Sequence, residues 1–243
     1  VSADVYLYVD SGHEYYITTS KEKNFIYSID SYQNQMELYN KGNYTRLSWW
    51  LYVRENVSMV FDAFMQGYQW FDKQGIKCIY ISMGFDEDIF KKPTDLPKPY
   101  DILFIGGRKS EGLRGKILDI VGSHCKLYTP QTYNQGIMDA MAQCKTFLDI
   151  PPVESDMLGQ RFYEGYAMEV PMISQERPTL LDFTTSSNSG IYTYTLWDLE
   201  SSLKTAIDLA LKASTSPASA SKIERNTKPL TWNARVLKML NYI

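Results

Sequence analysis

Histidine and cysteine are scarce in this 243-residue chain, which holds two of the first and three of the second. Cys78, Cys125 and Cys144 are odd in number, stand in apolar surroundings and show no CxxC spacing, which argues against a disulfide framework and against a zinc site. A reducing, cytoplasmic setting is expected. His13 and His124 lie far apart, and neither an HExxH nor a DxDxDG pattern occurs, so no protein-bound metal is expected. Runs of eighteen apolar residues are missing, and the opening VSADVYLYVDSG lacks the basic region and cleavage site of a signal peptide, so no membrane span is expected. Basic charge is not in excess either. The formal net charge of −3 argues against a dominant electrostatic grip on nucleic acid.

What is present is apolar and aromatic. Hydrophobic residues make up 44% of the chain, enough for a good core, and there are 19 tyrosines, a side chain that both stacks and hydrogen-bonds at sugar and base sites. Short apolar runs alternate with longer segments of helical period, the βαβ signature of an α/β protein with parallel sheet. In the first part, strands are expected at residues 5–9, 25–29 and 77–82, and helices at 35–53 and 57–73. The strands end in polar tips, Asp10-Ser11-Gly12-His13, Asp30-Ser31 and Met83-Gly84-Phe85-Asp86, where ligands of open α/β sheets bind. The stretch KKPTDLPKP, residues 91–99, has three prolines and no hydrophobic period, so it marks a linker between domains at 1–92 and 99–243. Beyond it, strands are expected at 100–105, 126–128, 146–149, 171–174 and 191–194. The matching helices are at 113–121, 133–144, 159–168, 199–212 and 232–242, with a helical turn at 179–183 and a mobile loop at 214–221.

Two stretches carry chemistry. In YDILFIGGRKSEGLRGKIL a strand runs into Gly106-Gly107, then Arg108 and Lys109, then a helix; close backbone approach, cations and a helix N-terminus together suit a diphosphate. In DIPPVESDMLGQRFYEGYAMEVPMIS, Asp156 and Glu164 are separated by seven residues and followed by Gly165, Ala167 and Pro171 before a strand. By residue type alone, Arg161 and Glu164 also fit an ion pair on a helix surface, and Asp156 fits a helix N-cap.

This second pattern resembles the E-x7-E region of family 4 glycosyltransferases of GT-B fold, with Asp in place of the first acid and Glu169 in place of a customary glycine. More narrowly, the chain is similar to glycosyltransferases of the spore-maturation-protein type. The landmarks, in order, are Asp10, Phe61-Asp62 through Gly75, Gly84-Phe85-Asp86 through Phe90, Tyr100 through Gly107, Arg161 through Glu164, and Thr231-Trp232 with Arg235. The resemblance covers residues 4–240 and implies two Rossmann-like domains, the N-terminal one short and lacking its first βα units, with the last helix packing back on it. It further implies a nucleotide-sugar donor, a UDP-sugar such as UDP-glucose, bound by the second domain. Glu164 would hold the ribose; Gly106, Gly107, Arg108, Lys109, Arg114 and Arg161 would surround the diphosphate; and Asp156, with the backbone near Gly159, would face the sugar. Asp10, His13 and Asp30 would stand on the acceptor side, His13 as a hydrogen-bond partner or a base. The transfer implied is retaining and metal-independent, with Asp156, Arg108 and His13 nearest the chemistry. The acceptor stays open among glycan, small molecule, protein and hydroxymethylated DNA, and so does the alternative of a non-catalytic nucleotide-sugar-binding module.

Overall fold

In the computed structural model, the residues described are 6–10, 24–28, 52–93, 98–107, 112–151, 158–184, 189–216, 223 and 225–242. They form two compact units: unit 1 comprises residues 1–83 with 235–243, and unit 2 comprises residues 84–234.

Unit 1 contains four parallel strands in the order β1-β2-β3-β4, namely Tyr6–Asp10, Asn24–Ser28, Met59–Asp62 and Cys78–Tyr80. β2 and β3 are buried along their whole length. Burial on both faces explains why such strands appear in sequence as unbroken apolar runs. It also explains one failed expectation, since a helix beginning at residue 57 does not form. Val57 to Phe61 is an apolar run whose period fits strand or helix, and here it is the central strand β3. Helix α1, Met65–Lys73, starts only after a turn in which the backbone N–H of Phe64 donates to Asp62 Oδ1 at 2.6 Å. A Cβ on Gly67 would lie 2.5 Å from the Asp62 carboxylate, so glycine there lets the first turn of α1 close over that acid. Phe71 of α1 packs with Ile26, Val60, Ile76 and Cys78. Of the helix expected at 35–53, only residues 52 and 53 fall among those described, and they belong to a helical segment at 52–56.

Unit 2 contains five parallel strands in the order β6-β5-β7-β8-β9. They are β5 Tyr100–Leu103, β6 Leu127–Tyr128, β7 Cys144–Asp149, β8 Met172–Gln175 and β9 Ile191–Tyr194. The crossovers are helices α2 Leu113–His124, α3 Gln135–Met141, α4 Gln160–Ala167 and the short α5 Leu181–Thr184; α6, Leu199–Thr215, follows β9. Leu203, Ala206, Ile207 and Ala210 repeat at helical spacing on α6 and are all buried against Ile117, Leu118 and Val121 of α2 and the inner strands. The helix expected to run to residue 144 stops at Met141: Gln143 Nε2 returns to Asp139 O at 3.1 Å, and Cys144 begins β7. A final helix α7, Trp232–Leu240, begins in unit 2 and belongs to unit 1 from Arg235 onward.

Two contacts fix α4. Gly165 lies so close to the buried Phe147 ring of β7 that an added Cβ would stand 2.5 Å from it. At the other side, the buried Arg225 donates Nη1 to Gly165 O and Tyr166 O at 3.3 and 3.0 Å, Nη2 to Val170 O at 2.9 Å, and Nε to Ser189 O at 2.7 Å. Those acceptors include two of the last four carbonyls of α4, which have no partner within the helix. Burial pushes the guanidinium down to about 10.

Candidate functional site

The strand order of unit 2 reverses direction between β5 and β7, because β6 lies on one side of β5 and β7 on the other. Chains leaving the carboxyl ends of such neighbours diverge and open a crevice, the usual ligand position of an open α/β sheet. On the β5 side the crevice is formed by Phe104-Ile105-Gly106-Gly107. A Cβ on Gly106 would strike the Phe104 ring at 2.8 Å, whereas one on Gly107 would meet nothing within 4 Å. Packing therefore demands the first glycine, and the second leaves open space at the strand tip.

Arg114, in the first turn of α2, spans the opening. Its Nη1 donates to Gly107 O at 3.2 Å and its Nη2 to Pro151 O at 3.4 Å, tying the chain leaving β5 to the chain leaving β7. Its Nε is buried and has no hydrogen-bond partner among the described residues. Burial lowers the pKa of this guanidinium, and the nearby Asp149 opposes that shift. Asp149, the last residue of β7, is itself committed: its Oδ2 accepts from Ser174 Oγ at 2.8 Å and from Arg177. Asp149 is thus paired with Arg177, while the Arg114 guanidinium bonds only to main-chain carbonyls and keeps its charge unpaired among the described residues.

Glu164 is the second focus. It is only 4% exposed, which rules out a surface ion pair, yet Arg161 does bond to it from one turn earlier. Gln160 Nε2 donates to Glu164 Oε1 at 3.3 Å and to Gly84 O at 2.8 Å, anchoring the start of α4. Burial raises the Glu164 carboxyl above the ordinary range, with Arg161 and Gln160 opposing. Each carboxylate oxygen has two lone-pair directions, so one more hydroxyl donor can be accepted on each. Gly159 is the N-cap residue of α4. The Arg161 guanidinium carbon also stands 5.6 Å from the centroid of Tyr133, a ring 72% exposed at the foot of α3. That Tyr133 contact was invisible in sequence, being 28 residues away with no motif to mark it.

Gly106, Gly107 and Arg114 thus meet at the strand tips, and Gly159, Arg161 and Glu164 share the first two turns of α4. Arg108, Lys109, Asp156, His13 and Asp30 lie outside the described residues. Asp10 ends β1, in register with Ser28, which in turn pairs with Asp62 at the end of β3. Among the described residues, no three of His, Cys, Asp and Glu converge as metal ligands would, and no helix is long and apolar enough to cross a membrane.

No protein-family model matches the chain, and no curated protein matches it in sequence. Solved structures do share its fold. Sucrose-phosphate synthase from Thermosynechococcus elongatus superposes with a TM-score of 0.58 at 15% identity over 90% of this chain and 66% of that one. HepE from Anabaena, solved in complex with UDP and glucose, gives 0.55 at 12% identity over 90% and 72% of the two chains. A glycosyltransferase from Rickettsia africae gives 0.51 at 12% identity over 90% and 89%. The chain therefore spans just under two thirds of the synthase, and at these identities the likeness is one of fold.

Proposed function

We propose that the protein is a glycosyltransferase of GT-B type, built from two Rossmann-like domains, that moves a sugar from a nucleotide-sugar donor, a UDP-sugar, to an acceptor. The observation that carries this reading is the crevice between β5 and β7, bridged by Arg114, with the buried Glu164 on the helix that follows β7, on a fold shared with a protein solved with UDP and glucose. In this reading the diphosphate lies over Gly106 and Gly107 against Arg114, with Arg108 and Lys109 adding charge. Glu164, ionised and oriented by Arg161 and Gln160, accepts the ribose hydroxyls. Asp156 faces the sugar, and the acceptor approaches Asp10, His13 and Asp30. Negative charge grows on the diphosphate as the glycosidic bond breaks, so fixed guanidiniums stabilise the transition state more than the ground state, without a metal ion. The same reading places the protein in the cytoplasm.

Calorimetric titration with UDP tests it. Replacing Glu164 by Ala should weaken UDP binding about 10- to 100-fold, the loss of a charge-assisted acceptor. Because burial raises the Glu164 carboxyl, UDP affinity should begin to fall on acidification above the ordinary carboxylate pKa of about 4.3. That step should be missing from Glu164→Gln. Turnover should survive EDTA. Unchanged UDP affinity in a folded Glu164→Ala protein would remove the ribose assignment, and with it the donor site.

A further inference from the structure

A second opening lies on unit 2. It is a cavity of about 300 Å³, at the small end of the range for small-molecule sites. Ala167 and Glu169 border it where α4 ends and β8 begins, at the amino ends of the strands, whereas the crevice lies at their carboxyl ends. Phe85 and Phe90, both buried, are among the residues that line it. Its walls are tied together by main chain, since Phe85 N–H donates to Leu230 O at 3.1 Å and Trp232 N–H to Phe85 O at 2.9 Å.

Charge is what sets this cavity apart. Lys91, Lys92 and Lys228 all line it, and none takes part in an ion pair among the described residues. Two carboxylates share the space, and both are engaged. Glu87 Oε1 accepts from Asn233 Nδ2 at 2.7 Å. Glu169 supplies the one carboxylate that supports the buried charge of Arg225, whose own hydrogen bonds go to main-chain carbonyls. Three lysines against two glutamates leave this cavity with a surplus of positive charge on a chain of net charge −3. Glu169 also holds a backbone φ of +51°, a conformation glycine adopts more easily, so a carboxylate is kept there against local backbone preference.

Lysines in excess over carboxylates suit a phosphate, and phenylalanines beside a carboxylate and Thr227 suit the C–H groups and hydroxyls of a sugar. We propose that this cavity is a second ligand site for a small phosphorylated sugar, its phosphate held by Lys91, Lys92 and Lys228 and its hydroxyls by Glu169 and Thr227. The proposal is independent of the donor reading, because no residue is common to the two sites.

Calorimetry on the full chain with glucose 6-phosphate, glucose and inorganic phosphate tests it, with UDP titrated in parallel. Glucose 6-phosphate should bind about tenfold more tightly than inorganic phosphate, and glucose should give no heat. The triple variant Lys91→Ala/Lys92→Ala/Lys228→Ala, altered only at exposed side chains, should melt with the parent and lose the sugar phosphate while keeping its UDP affinity. Glu169→Gln should erase the preference for glucose 6-phosphate over inorganic phosphate. Equal affinity of parent and triple variant for glucose 6-phosphate would overturn the site. No binding by the parent would do the same, and phosphate binding as tight as that of the sugar phosphate would reduce it to a bare anion patch.

Discussion

Arg114 illustrates how one side chain can be legible in type and hidden in role. Sequence places a cation near the helix that follows a glycine-rich strand end, and chemistry assigns such a cation to phosphate. Structure adds that its guanidinium is already spent in part on Gly107 O and Pro151 O, with Nε left over. It therefore ties together the chains leaving both strand tips. Arg114→Ala should lower kcat by about a hundredfold, as loss of a transition-state donor does, and should also raise KM because the two tips are released. Arg114→Lys restores the charge without the planar fork that reaches two carbonyls at once, so it should recover only part of kcat. Steady-state kinetics of both variants with saturating donor, checked by melting temperature, decide the matter. A wild-type kcat in Arg114→Ala would leave this residue a purely structural tie.

At the scale of elements, α4 is the piece on which the candidate site depends, and Gly165 sets its distance from the sheet. Alanine is the better helix former by roughly 1 kcal/mol, but a Cβ here would push on Phe147, which is wholly buried. Overpacking of this kind costs about 1–3 kcal/mol, so Gly165→Ala should be destabilising on balance. It should also weaken UDP binding, since Glu164 rides on the same turn. Denaturant melts paired with UDP titration measure both effects, and a more stable Gly165→Ala protein with intact binding would show that α4 has room to move. The same helix shows what a sequence can and cannot disclose. That Gly159, Arg161 and Glu164 share one helix was legible because their spacing is local, whereas the roles given to them came from the resemblance. Arg225 was not, because it meets α4 from about 60 residues away and bonds to carbonyls, which every residue carries. The strand β3 was misread for a related reason: a strand buried on both faces loses the alternation that would distinguish it from a helix. Strand β9 was read correctly at residues 191–194, since Gly190 before it and the turn at residues 195–198 after it bound a short run that no helix could fill.

For the molecule as a whole, the division into two units gives the proposed donor site a definite address. Every described residue assigned to the donor, from Gly106 through Glu164, belongs to unit 2, whereas β1, β2 and β3 belong to unit 1. A ligand that contacts only one set of strand tips lowers local opening there, because binding stabilises the closed form by RT ln(1 + [L]/Kd), about 2.7 kcal/mol at a hundred times Kd. Amide hydrogen exchange at that UDP concentration should therefore slow by up to about a hundredfold at residues 104–107, 149–151 and 158–165. The amides of β2 and β3 should not change. UDP lacks the transferred sugar, so the comparison isolates nucleotide recognition from any contact the sugar makes. Protection appearing first in β2 and β3, with the tips of β5 and β7 unaffected, would move the nucleotide to unit 1 and dismantle the assignment of Arg114 and Glu164 together.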